Sequence, residues 1–109
     1  MGSEEKTESV IKKEIMDLLL VHPRVAIVWQ TDAPTTLSRK FKANRYHPKG
    51  IPDIIGVLKD GKSLLIEVKT EKGKVREEQE TLLEAASQAG ALAFICRSRE
   101  ECLEVLGRL

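Results

Sequence analysis

Aromatic side chains are scarce in this sequence: two Phe, one Trp and one Tyr among 109 residues. A core of this size must therefore be built from Ile, Leu, Val and Ala. There are two cysteines, Cys96 and Cys102. Two thiols exclude a disulfide framework and a cysteine-based zinc cluster, and a reducing, intracellular setting is expected. Cys96 lies in the apolar run Ala91–Cys96, where it reads as a small buried residue. No apolar run reaches the length of a membrane span, and the polar N-terminus does not resemble a secretory signal. Charge of one sign is also lacking. Eighteen Lys and Arg against 17 Asp and Glu leave a formal net charge of +1. Any signal for a charged partner must come from where the charges sit.

What is present suffices for one domain over residues 1–109, with one core. Ser9 to Val21 carries Ile11, Ile15, Leu18 and Leu19 at helical spacing, and Pro23 closes it. Val25–Trp29 reads as a strand. A long polar connection follows from Thr31 to Gly50. Ile51–Leu58 and Lys62–Lys69 read as strands, Val75–Ala89 as a helix ended by Gly90, Ala91–Cys96 as a strand and Arg99–Leu106 as a helix. The order α-β-β-β-α-β-α predicts an α/β domain around a four-stranded mixed sheet. The apolar last helix, with Leu103, Val105, Leu106 and Leu109, is a candidate surface for self-association.

Chemistry concentrates in Ile51-Pro52-Asp53 and Ile66-Glu67-Val68-Lys69. Residues two apart on a strand share a face, so Glu67 and Lys69 point the same way. The intervening turn decides whether Asp53 meets Glu67. A two-residue Asp60-Gly61 loop would set Asp53 opposite Val68, on the wrong face. A three-residue Lys59-Asp60-Gly61 loop pairs Leu58 with Lys62 and sets Asp53 opposite Glu67. That loop wants a left-handed residue at its third position, where Gly61 stands. Two opposed carboxylates repel each other, and a hard cation such as Mg²⁺, with Mn²⁺ as a substitute, removes the repulsion by taking an oxygen from each. Lys69 can then orient a metal-bound water or offset charge on a phosphate. Taken alone, an E-x-K on a strand is more often solvated charge, and Pro-Asp is a common turn dipeptide. The combination is what carries weight.

Two further polar residues lie on apolar stripes. Glu14 neighbours Val10, Ile11, Leu18 and Val21 on the first helix, where a carboxylate facing a core needs a metal or an ion-pair partner such as Lys13 or Arg24. Gln79 is flanked by Val75, Leu82, Leu83 and Ala86, and reads equally as a site residue or as an amide bonded to the sheet. Residues 39–50 hold five basic residues, Arg39, Lys40, Lys42, Arg45 and Lys49, and no acid. With Tyr46 and Phe41, and with Lys72, Lys74 and Arg76 after the third strand, they offer a phosphate-binding surface. A solvated loop is the plain alternative for each residue alone. His22 and His47 have no metal-ligand partner at recognisable spacing.

Gly50-Ile51-Pro52-Asp53-Ile54-Ile55-Gly56-Val57, Ile66-Glu67-Val68-Lys69-Thr70, Gly73, Gln79 and Gly90-Ala91-Leu92-Ala93-Phe94 together resemble the VRR-NUC branch of the PD-(D/E)XK nucleases, over about Glu14 to Arg97. The resemblance implies that Asp53 and Glu67 bind metal with the Val68 carbonyl as a further ligand. It implies that Lys69 is the catalytic lysine, that Gln79 belongs to the active-site shell and that Glu14 is the acid of the first helix, also a metal ligand. Such proteins act on DNA, often branched, and the stand-alone members look like viral or phage homodimers. A homodimer with two sites suits a four-way junction. The expectation is thus an intracellular, Mg²⁺-dependent, structure-selective DNA endonuclease, in the host cytoplasm if viral or phage, with no membrane association and no nucleotide cofactor. The alternative is a DNA-binding module that keeps the fold without the chemistry, and a third reading is a protein-interaction domain.

Overall fold

The computed structural model describes residues 5–31 and 49–108. The described elements follow the expected order: α1 (Glu8–Val21), β1 (Val25–Gln30), β2 (Ile54–Leu58), β3 (Ser63–Val68), α2 (Glu77–Gln88), β4 (Leu92–Cys96) and α3 (Arg99–Leu106). One sheet has the strand order β1-β2-β3-β4. β1 and β3 run antiparallel to β2, while β3 and β4 are parallel across the α2 crossover.

Local chemistry sets the helix ends. Thr7 caps α1 by accepting the Val10 N–H, and Ser98 caps α3 by accepting the Glu101 N–H; each satisfies a donor that the helix leaves free. His22 precedes Pro23 and takes an extended conformation, φ −75° and ψ 132°, which ends α1. The buried His22 ring then joins the ends of two helices. Its Nδ1 accepts the Arg24 N–H, and so its Nε2–H donates to the Gly107 carbonyl at 2.6 Å.

The main core lies between one face of the sheet and the pair α1 and α3. Ile11, Ile15, Leu18 and Leu19 of α1 meet Ile54, Leu58, Leu64, Ile66, Val68 and Cys96 of the sheet and Cys102, Leu103 and Leu106 of α3. α2 covers the other face over β3 and β4, where Leu83 is its buried residue. The apolar positions of α3 are thus largely used inside the molecule. Leu103 and Leu106 are buried and Val105 is exposed, so the expected self-association surface reduces to little. Leu109 lies outside the described residues.

Two boundaries differ from expectation by more than one residue. β2 begins at Ile54 instead of Ile51, because Pro52 has no N–H to give to a ladder. α2 begins at Glu77 instead of Val75, after an extended Arg76 at its N-cap, φ −81° and ψ 151°.

Candidate active site

The β2–β3 hairpin sets the distances that matter. Its register pairs Ile54 with Ile66, Ile55 with Leu65, Gly56 with Leu64 and Val57 with Ser63. Leu58 N–H donates to the Lys62 carbonyl at 2.8 Å, and Gly61 N–H returns to the Leu58 carbonyl at 2.9 Å. Gly61 has φ +94°. The loop is therefore Lys59-Asp60-Gly61, three residues closed by a left-handed glycine. Carried one residue past the ladder, this register sets Asp53 opposite Glu67. Hydrogen-bonded pairs alternate with non-bonded ones along an antiparallel ladder, and the Leu58–Lys62 bond makes 53/67 a non-bonded pair. Such pairs bring their side chains closest.

Pro52 falls opposite Val68 in the same register. Proline supplies no N–H, so the Val68 carbonyl has no ladder donor on β2. The Pro52 carbonyl accepts the Thr31 hydroxyl instead of a β3 amide. The Val68 N–H, left without its ladder acceptor, donates to Asp53 Oδ2 at 2.8 Å. Thr31 N–H also holds the Asp53 carbonyl at 2.9 Å. The sheet thus comes apart at Pro52, and the Asp53 side chain fills part of the gap.

Glu67 is buried to 3% exposure. Its Oε2 accepts the Gln79 amide at 2.8 Å and lies 3.4 Å from Lys69 Nζ. Its Oε1 is buried with no hydrogen-bond partner among the described residues. Burial, then the charge of Asp53, pushes the Glu67 carboxyl up to about 7, with Lys69 acting in the opposite direction. Gln79 uses both ends of its amide, for its Oε1 accepts the Arg76 N–H at 3.0 Å and so caps α2. α2 is brought to the site by a close approach of backbone: a Cβ on Gly50, φ +84°, would meet the Glu78 carbonyl at 2.3 Å, so only glycine fits.

Asp53, Glu67, Val68, Lys69 and Gln79 therefore meet at one end of the sheet. Glu14 does not join them. Both its oxygens take the Lys6 ammonium at 2.9 Å, and no group of three His, Cys, Asp or Glu suited to a metal occurs among the described residues. The enclosure expected of Glu14 is absent because Val10 and Val21, its apolar neighbours on the helix, are themselves exposed. The buried arc is centred on Ile11, Ile15, Leu18 and Leu19, and Glu14 lies at its margin. The α1 residue at the site is Lys12, on the opposite flank of that arc, with Nζ 3.5 Å from Asp53 Oδ1.

Lys49, Lys72 and Lys74 are exposed; Lys72 lies at the long distance of 4.0 Å from Glu5. Arg39, Lys40, Lys42, Arg45 and Tyr46 lie outside the described residues. Sequence reasoning missed Lys12, Thr31 and Arg97. The Arg97 guanidinium donates to the carbonyls of Thr70, Glu71 and Gly73 and so shapes the loop that bears Lys72. Its only sequence signal was a cation placed directly after an apolar strand.

A sheet that ends in two facing carboxylates, backed by a lysine and a glutamine, defines a nuclease-type, DNA-processing class of domain. The family model described as the VRR-NUC domain matches residues 6–100, and the chain belongs to the VRR-NUC family. A solved structure of a VRR-NUC domain protein has the same fold, with a TM-score of 0.62 at 18% identity, over 94% of this chain and 86% of that one. No curated protein matches the chain. Among the described residues no helix is long and apolar enough to cross a membrane.

Proposed function

We propose that this protein is a Mg²⁺-dependent, structure-selective DNA endonuclease that works as a homodimer on branched DNA such as a four-way junction, with Mn²⁺ able to substitute. The observation that carries the reading is the buried Glu67 Oε1 beside Asp53, without a hydrogen-bond partner among the described residues. A buried carboxylate oxygen without a donor is costly, and a hard cation shared with Asp53 removes that cost. Asp53, Glu67 and the Val68 carbonyl, deprived of its ladder donor by Pro52, would hold the ion; oxygen ligands of this kind suit Mg²⁺. When bound, Mg²⁺ supplies Lewis acidity toward a phosphate oxygen and lowers the pKa of a bound water.

The chain's own groups do the rest. Gln79 fixes Glu67 Oε2 and leaves Oε1 for the ion. Val68 N–H fixes Asp53 Oδ2 in the same way. Lys69 lies beside Glu67, where its ammonium can orient the attacking water and offset charge on the phosphate. Exposed Lys49, Lys72 and Lys74 add charge for the DNA backbone. The homodimer and the junction rest on family resemblance, two sites being suited to two strands.

The test is cleavage of labelled four-way junctions, flaps and plain duplex in Mg²⁺ or Mn²⁺. Wild type should cut, preferring a branched substrate. Glu67→Gln should lose at least about 100-fold, as expected when a metal ligand is removed, while Glu14→Gln should stay close to wild type. Wild type that binds every substrate and cuts none would instead establish a DNA-binding module.

A further inference from the structure

The oxygens of the carboxylate pair are unequally committed. Asp53 Oδ2 is held by the Val68 N–H at 2.8 Å, and Glu67 Oε2 by Gln79 and Lys69. The two that remain for a shared cation are Glu67 Oε1, which has no hydrogen-bond partner among the described residues, and Asp53 Oδ1. The second is not open. Lys12 Nζ stands 3.5 Å from it, and the two side chains are 25% and 18% exposed. The ammonium therefore rests at the oxygen an entering ion would need. With both carboxylates ionised, Lys12 and Lys69 bring the local charge to zero, so a divalent ion enters a site already neutralised. An added phosphate reverses that balance. Lys12 is anchored on α1 beside the buried Ile11 and Ile15, and its flexible stem lets the ammonium shift while the backbone stays fixed.

We propose that Lys12 is a tethered counter-ion. It holds Asp53 Oδ1 in the metal-free protein, yields that oxygen when metal enters, and transfers its charge to a DNA phosphate. Metal and DNA then bind cooperatively: Lys12 opposes metal in the free protein and favours it in the complex. Two bound ligands that share one such group raise each other's affinity by the same factor. This inference rests on the metal-site reading given above.

The experiment measures Mn²⁺ binding to the DNA-free protein, by the electron paramagnetic resonance of the unbound ion, for wild type, Lys12→Met, Lys12→Arg and Glu67→Gln. DNA affinity by fluorescence anisotropy, with Ca²⁺ or with EDTA, supplies the second half. Lys12→Met should bind Mn²⁺ about tenfold tighter than wild type, since a nearby like charge is gone. Lys12→Arg should remain near wild type. The gain in DNA affinity on adding Ca²⁺ should shrink in Lys12→Met. Should Lys12→Met bind Mn²⁺ no tighter than a wild type whose binding Glu67→Gln abolishes, the counter-ion role fails and the metal site stands. Absence of Mn²⁺ binding in wild type, with or without DNA, overturns both. Lys12→Gln, which keeps a polar head, guards against a packing effect of Met, and both variants should show the wild-type circular dichroism spectrum.

Discussion

Glu67 has a titration that reports on the state of the site. Its carboxyl is pushed from 4.5 up to about 7, first by burial and then by Asp53. An unfolded glutamate releases its proton near 4.5, so between that pH and 7 the folded protein binds more protons than the unfolded one. Stability of the metal-free protein should therefore fall as pH rises through this window, by at most about 3 kcal/mol. Urea unfolding in EDTA at pH 5 and pH 8 checks this. Glu67→Gln should flatten the slope and be the more stable protein at pH 8. Added Mg²⁺ should stabilise wild type mainly at the higher pH, where the ligands are ionised. A metal-free protein equally stable at both values would mean that Glu67 keeps an ordinary pKa.

At the scale of the element, the hairpin loop acts as the ruler of the site. Lys59-Asp60-Gly61 is exposed and lies at the far end of β2 and β3 from Asp53 and Glu67. Where it closes nevertheless decides which residue Asp53 faces. Removing Asp60 leaves the two-residue connection Lys59-Gly61, which still pairs Leu58 with Lys62 and keeps Asp53 opposite Glu67. Removing Val57 from the strand itself moves every earlier residue of β2 by one place, which sets Asp53 opposite Ile66 and turns the buried Ile54 out of the core. Cleavage by the Val57 deletion should fall about 100-fold or more, the usual result when reacting groups are misplaced by an ångström or so. The Asp60 deletion changes only the loop, so that variant should retain activity within a few-fold. Comparing the two separates register from loop length; a fully active Val57 deletion would show that a bulge restores the pairing.

Across the whole molecule, the sequence was most legible where repeating patterns run long. Helical spacing of Ile11, Ile15, Leu18 and Leu19 and the strand alternation through Leu64, Ile66 and Val68 were enough for the element order. The parity argument on Gly61 was enough for the hairpin register. Legibility failed where an interaction depends on how elements dock. Lys12 reaches Asp53 only because α1 crosses the sheet beside that end of β2, and Thr31 holds the Pro52 and Asp53 carbonyls only because β1 ends there. Glu14 was misread because apolar neighbours were taken for buried ones. β2 was read three residues too long because Ile51 is apolar, although Pro52 already ended the ladder.

The break at Pro52 also gives the molecule a built-in observable. The Val68 amide is protected by one carboxylate oxygen instead of a neighbouring strand, so its proton is a private line to Asp53. In a ¹⁵N-resolved spectrum this resonance should be shifted downfield in the metal-free protein and should move on addition of Mg²⁺, while the amides of Leu64 and Ile66, inside the ladder, stay put. Its hydrogen exchange should accelerate in Asp53→Ala with little change elsewhere in β3. One peak would then follow the occupancy of the site without DNA, turnover or label.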